Sequence, residues 1–170
     1  MKAVTAYIGL GANLGNPTGK ICEALKKIEK IPGVLLGEVS SFYKTAPVGF
    51  EDQDDFVNIV CSAKCSIGAF RLLDELHDIE QEFGRIRSFL NGPRIIDLDL
   101  LLYGGLFCNT ADVTIPHPRM LDRAFVLVPL QEIAPNFVLP SGVRIADLLP
   151  RVLGQRIERS DFIRYLDKGL

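Results

Sequence analysis

Apolar side chains recur every second residue in some stretches of the chain and every third or fourth in others, and the switches between periods outline a fold. Residues 3–10 predict a strand, with Val4, Ala6 and Ile8 alternating against Thr5 and Tyr7. Asn16 and Pro17 read as an N-cap and first helical residue, and Ile21, Leu25, Ile28 and Ile31 form one apolar stripe that Pro32 and Gly33 stop. Residues 35–44, rich in β-formers, predict a second strand, and residues 56–65 a third. In that third strand Val57, Ile59, Cys61 and Ala63 share the core face, and Phe56, Asn58, Val60 and Ser62 the other. Residues 67–85 predict a second amphipathic helix through Phe70, Leu73, Leu76, Ile79 and Phe83, ended at Gly84. A fourth strand follows Gly92-Pro93, and Gly104-Gly105 predict a hairpin to a short return strand over 113–115. The order βαββαβ is that of a ferredoxin-like α+β sandwich, two helices on one face of an antiparallel sheet. Residues 126–134 predict a third helix or buried segment, and 141–149 a small helix stopped by Pro150. The mixed-charge tail over 151–170 has no assignment from pattern.

The fourth strand carries the chemistry. Asp97 and Asp99 stand two residues apart in a run of Ile and Leu. On a helix they would point roughly opposite ways; on a strand they share a face, about 6.6 Å apart along the chain. Ile96, Leu98, Leu100 and Leu102 then share the opposite face. Two carboxylates on an apolar strand are costly to bury unless paired or bound to metal. Oxygen ligands at this spacing suit Mg²⁺, as one ion or as two about 3.5–4 Å apart. The other reading is a solvated strand face with incidental aspartates. Arg85, Arg87 and Arg94 lie within ten residues that hold no acid, and arginines beside a Mg²⁺ site make a polyphosphate clamp.

Other stretches are weaker alone. Gly9 to Gly15 reads as a strand-to-helix turn; it lacks the Gly-Lys-Ser/Thr ending of a phosphate loop and misses the G-x-G-x-x-G spacing by one residue. Residues 45–55 form an acidic, turn-rich loop. Phe56 and Asn58 make either a half-exposed sheet face or a platform for a flat heterocycle. His77 and Glu80, three apart, are surface neighbours on a helix and ordinarily solvated. Pro116 and Pro118 pin His117, which favours a functional role, with Arg123 and Phe125 one short helical turn beyond.

Composition narrows the class. At 170 residues the chain is expected to form a single domain with a full-sized core. A hydrophobic share of 48% and a formal charge of −2 favour neither disorder nor a surface that coats nucleic acid. No run approaches the ~20 apolar residues of a membrane span, and the start lacks a signal peptide's apolar region, so a cytoplasmic location is expected; a monomer is the expected state, which the sequence does not determine. Cys22, Cys61, Cys65 and Cys108 show no C-x-x-C spacing. Cys61 and Cys65 would lie about 13 Å apart by strand rise, too far to bridge, so buried reduced thiols are expected. Two histidines argue against a Cys/His zinc site.

Five blocks in order then resemble one family. They are Ile8 to Gly15, Ser41 to Gly49, Phe56-Val57-Asn58, Gly92 to Leu101, and Ile115 to Arg119 with Arg123 to Phe125. Over roughly residues 4–140 the chain resembles 6-hydroxymethyl-7,8-dihydropterin pyrophosphokinase, a folate-pathway enzyme. The resemblance implies transfer of the β,γ-pyrophosphoryl unit of ATP to the pterin's hydroxymethyl oxygen, releasing AMP. It implies that Asp97 and Asp99 hold two Mg²⁺ ions, and that Thr45, Pro47, Val48, Phe56, Asn58 and Phe125 form the pterin pocket, the two rings sandwiching the heterocycle. It implies contacts to ATP from Arg85, Arg94, His117 and Arg123, more peripheral ones from His77, Glu80 and Leu100, and a further arginine, Arg87, in the same loop; Arg85 and Arg94 join the aspartates as catalytic. The partners implied are small molecules only, ATP and the pterin. Asn91 stands where the family commonly has an aromatic, Phe56 where it commonly has tyrosine, and Ala12 where serine is usual. Two other classes remain to be separated: a non-catalytic ligand-binding module, and a Mg²⁺ enzyme that releases free pyrophosphate.

Overall fold

The structure, a computed structural model, describes residues 2–84 and 89–160. The expected order appears as β1 (Val4–Ala12), α1 (Pro17–Ile28), β2 (Val34–Val39), β3 (Tyr43–Thr45), β4 (Phe56–Cys65), α2 (Ala69–Glu82) and β5 (Asp97–Tyr103). β1 lies between β5 and β4, antiparallel to both, and the outer edge of β4 pairs with β2 and β3. This is the ferredoxin-like arrangement, with one amendment. The single strand expected over 35–44 is broken, because at Ser40 and Ser41 side chains take partners that a continued ladder would pair through backbone. Ser40 Oγ accepts from Val60 N at 3.0 Å, and Ser41 N and Oγ both donate to the Glu132 carboxylate.

α1 begins as its sequence dictates, with Asn16 Oδ1 accepting from Gly19 N at 3.1 Å and Pro17 following. Its stripe of Ile21, Leu25 and Ile28 packs with Ile8, Leu10 and Cys61 of the sheet. α2 packs beside it, but its buried face runs through Leu72, Leu76 and Ile79, whereas Phe70 is 55% exposed. Leu76 and Ile79 are buried as expected, and Leu73 and Phe83 pack at the edge of the same core, so the stripe is offset only at its start, where Leu72 replaces Phe70. Glu80 corrects a second expectation: it is no surface neighbour of His77 but only 1% exposed. Its carboxylate accepts from Leu98 N at 2.7 Å, satisfying an outward N–H of the edge strand β5. Cys61 and Cys65 are buried thiols as expected, and burial pushes Cys61 up to about 12.

The other sheet face has its own cover. α3 (Ala124–Ile133) and α4 (Ile145–Leu148) pack over Val60, Leu101 and Leu102. Leu102 was expected beside Leu98 and Leu100. A β-bulge moves it: Tyr7 pairs with Leu102 and Ile8 with Leu100, so Leu101 has no partner in register. The turn after β5 leads to β6 (Cys108–Asn109), and β7 (Thr114–Ile115) pairs with β6 in a separate two-stranded sheet, not back onto β5. A short 3-10 turn over Met120–Asp122 precedes α3 as expected. Pro150 does not stop α4 cleanly; it starts a further 3-10 turn over Leu149–Val152. Part of the unassigned tail, β8 (Ile157–Arg159), adds a strand beyond β3.

The offset stripe is testable by denaturant unfolding. Leu72→Ala should cost about 2–5 kcal/mol, as for a fully packed leucine. Phe70→Ala should stay within about 0.5 kcal/mol; comparable losses would restore the stripe expected from periodicity.

Candidate active site

The second sheet face is covered only in part, and the uncovered part is a cleft. Its floor is flat for a reason in the sequence. Gly9 and Gly11 belong to β1, not to a turn, and their period of two puts both on the cleft side while Leu10 and Ala12 point into the core. Across the sheet Asp97 pairs with Gly11 and Gly11 with Asn58; Asp99 pairs with Gly9 and Gly9 with Val60. No side chain of β1 therefore stands between the aspartates on β5 and the amide on β4, about 10 Å apart at two strand spacings. A Cβ added at Gly11 would lie 2.4 Å from Asn58 Oδ1.

One end of the cleft is shaped for a flat, partly polar molecule. Asn58 is buried, and its Nδ2 donates to Thr45 Oγ1 at 2.8 Å, which leaves Oδ1 toward Gly11. Phe56 and Phe125 line the same space with Val48. Ala46 lines it where Pro47 was expected, and Pro47 stands half-buried outside the lining. Arg123 lies with its guanidinium carbon 5.2 Å from the centre of the Phe125 ring.

The cleft continues past the aspartates into a basic groove lined by Arg94, His117, Arg119 and Arg123. Arg94 Nη1 donates to Asp97 Oδ2 at 2.6 Å. Burial and then the neighbouring Arg119 pull Arg123 below its ordinary value, and Asp99 and Asp97 only partly oppose them. Like charges held together this way favour an anion between them. His117 is pushed down to about 4 by burial first, then by Arg123 and Arg119, so it is neutral at pH 7. Its Nδ1 accepts from Arg119 N at 3.3 Å, which assigns the proton to Nε2.

A third section bends along the β5 edge between α2 and β7, lined by His77, Leu98, Leu100 and His117. Glu80 does not line it and acts on β5 from beneath. Asp99 borders all three sections, and Asp97 the first two. Arg85 and Arg87 lie outside the described residues. Pattern reading missed Gly9 and Gly11 as floor, although their alternation with buried residues was the signal. It also missed Arg119 as lining, though it follows His117 and Pro118 directly.

Asn13 knits the loops around the cleft mouth. It is 4% exposed, its Nδ2 donates to Gln53 Oε1 and Asp54 O, and its Oδ1 accepts from Arg94 N at 2.9 Å. Gln53 Nε2 reaches Asn91 O at 2.8 Å, and the Phe50 and Phe89 rings meet edge to face. Among the described residues no group of three or more Asp, Glu, His or Cys could hold a metal. A pair of carboxylates suits an ion that completes its shell with water and phosphate.

Comparison with known proteins gives the chain a family. Residues 7–135 match the family described as 7,8-dihydro-6-hydroxymethylpterin-pyrophosphokinase. The chain is 45% identical to 2-amino-4-hydroxy-6-hydroxymethyldihydropteridine pyrophosphokinase of Haemophilus influenzae, over 86% of this chain and 91% of that one. Against the protein of that name from Bacillus subtilis it is 43% identical, over 75% and 77%. It is 40% identical to the folic acid synthesis protein fol1 of Pneumocystis carinii, spanning 89% of this chain but 20% of that protein. Among solved structures, an HPPK-DHPS protein in complex with substrates superposes with a TM-score of 0.70 at 13% identity, over 88% of this chain and 43% of that one, which bears on the fold alone.

The groove's electrostatics can be checked directly. Below pH 6.5 the unfolded chain binds a proton at this histidine that the folded one refuses until about 4, so stability falls as pH drops through that window. An NMR titration should give His117 a midpoint near 4; a midpoint near 6.5 would remove the buried, arginine-crowded setting.

Proposed function

The chain belongs to the 7,8-dihydro-6-hydroxymethylpterin-pyrophosphokinase family, and we propose that its cleft transfers the β,γ-diphosphoryl group of ATP to the hydroxymethyl oxygen of 6-hydroxymethyl-7,8-dihydropterin. It is a diphosphokinase of folate synthesis. The observation that carries the finer reading is the position of Asp99 and Asp97 where the flat pocket meets the basic groove.

The pterin lies between Phe56 and Phe125, and Asn58, fixed by Thr45, offers its amide to the ring's polar edge. Its hydroxymethyl group points along the glycine floor toward the aspartates. The triphosphate lies in the groove against Arg94, Arg119 and Arg123, with neutral His117 offering Nε2–H as a donor without adding charge. The adenosine end takes the third section, beside His77, Leu98 and Leu100. Arg85 and Arg87 extend the same basic set in this proposal.

The chemistry asks for position more than for a nucleophile. The hydroxymethyl oxygen forms a bond to the β-phosphorus, the bond from that phosphorus to the α,β-bridging oxygen breaks, AMP leaves with the electron pair, and the hydroxyl proton is released. Asp97 and Asp99 fit two Mg²⁺ ions, which when bound supply charge neutralisation and acidify the attacking hydroxyl. Arginines aimed at the transferring group stabilise the charge that develops there. The loops tied by Asn13 and Gln53 close the mouth over the pocket and keep water from competing as acceptor.

Incubation with ATP, Mg²⁺ and the reduced hydroxymethylpterin should yield AMP and the pterin diphosphate without free pyrophosphate. Pyrophosphate release would instead indicate nucleotidyl transfer, and no reaction a binding module. Asp97→Ala and Asp99→Ala should each lower AMP formation at least about 10³-fold, the loss of roughly 4 kcal/mol of transition-state stabilisation, with folding intact by circular dichroism. Near-native turnover in either variant contradicts the assignment.

Gly11→Ala pushes the Asn58 amide aside. It should raise KM for the pterin about tenfold, as for one buried hydrogen bond, and leave KM for ATP unchanged. An unchanged pterin KM would remove Asn58 from the acceptor site.

A further inference from the structure

Two residues beyond the family match, Gln155 and Arg156, reach back to both walls of the aromatic pocket. α3 has no side-chain cap of its own, since Arg123 stands at the N-cap position. Gln155 supplies one from across the fold: its Oε1 accepts from Ala124 N at 2.9 Å and its Nε2 donates to Asp122 O at 2.8 Å. The one amide thus brackets Arg123 on both sides and sets the start of the helix that presents Phe125. Arg156 treats the opposite wall in the same way. Its guanidinium takes both oxygens of Asp55, at 3.0 and 2.5 Å, immediately before Phe56. Its carbonyl accepts from Ala46 N, beside Thr45, and the next residue, Ile157, pairs with Thr45 in register.

We propose that Gln155 and Arg156 are positioning residues for the acceptor site, a brace that fixes the spacing of the Phe125 and Phe56 walls without touching substrate. The proposal rests on the pterin assignment above. Consecutive residues hold the two walls, so a shift of one side chain cannot be absorbed independently by the other wall. A planar ring sandwiched between two faces is sensitive to such spacing, because offset stacking weakens within a fraction of an ångström.

The test is steady-state kinetics on the full 170-residue chain. Arg156→Ala should raise KM for the pterin about fivefold, which is about 1 kcal/mol, with kcat and KM for ATP unchanged. Arg156→Lys should recover most of that loss. Gln155→Ala should raise both KM values, since the amide also holds Arg123 in the groove. Variants whose KM values stay at wild type, with only the melting temperature or active fraction lowered, would show a merely structural tail and overturn the brace. Wild-type protein that makes no AMP would sink the proposed activity in the control arm, whereas active wild type with an unmoved pterin KM in Arg156→Ala sinks the brace alone.

Discussion

The whole site depends on a strip of bare backbone. Two carboxylates and an amide on strands either side of β1 can serve one ligand only if nothing rises between them. Gly9 and Gly11 remove the two side chains that would. Glycine in a strand interior costs about 0.5–1 kcal/mol of backbone entropy. The cost is offset on the reverse face, where Ile8, Leu10 and Ala12 of the same strand are fully packed against α1 and α2. One strand thus anchors the core with its even residues and opens the cleft with its odd ones.

The same division explains β5. Leu98 and Leu100 bind it to the helical face, Glu80 satisfies its outward N–H, and Asp97 and Asp99 are left on the cleft side. The bulge at Leu101 then turns Leu102 to the same side as Leu101, into the α3 core. The cleft ends where the bulge begins. An edge strand is suited to this position, since the groove can run over its face and around its free edge to the third section.

Much of this was legible in the chain. Period two at Asp97 and Asp99 placed both acids on one face, and Phe56 with Asn58 on another strand's cleft side, because strand geometry leaves no alternative once the strand exists. The offset of α2 was not legible: Phe70 and Leu72 both fit a helical stripe, and only the crossing of the helix over the sheet chooses between them. The break at Ser40 and Ser41 needed Glu132, some ninety residues away, to take the freed donors. Glu80 looked like solvated charge because its partner is a backbone N–H, which no sequence pattern displays. Helix crossing, non-local hydrogen bonds and a bulge, none of them visible as periodicity, account for these departures.

Electrostatics complete the argument for a large anion over a single ion. A magnesium site alone would want the aspartates unopposed, yet Arg94 pairs with Asp97 and Arg119 crowds Arg123. Positive groups beyond what two carboxylates neutralise are a cost to the protein, and burial deepens it. The fold also keeps His117 neutral, which holds that cost down while retaining a donor. In the proposed function a polyphosphate bound with its metal would reverse the balance, since its negative oxygens would satisfy the arginines while its cations would satisfy the aspartates. On the proposed function, nucleotide binding and metal binding would therefore be tied together through the same few side chains.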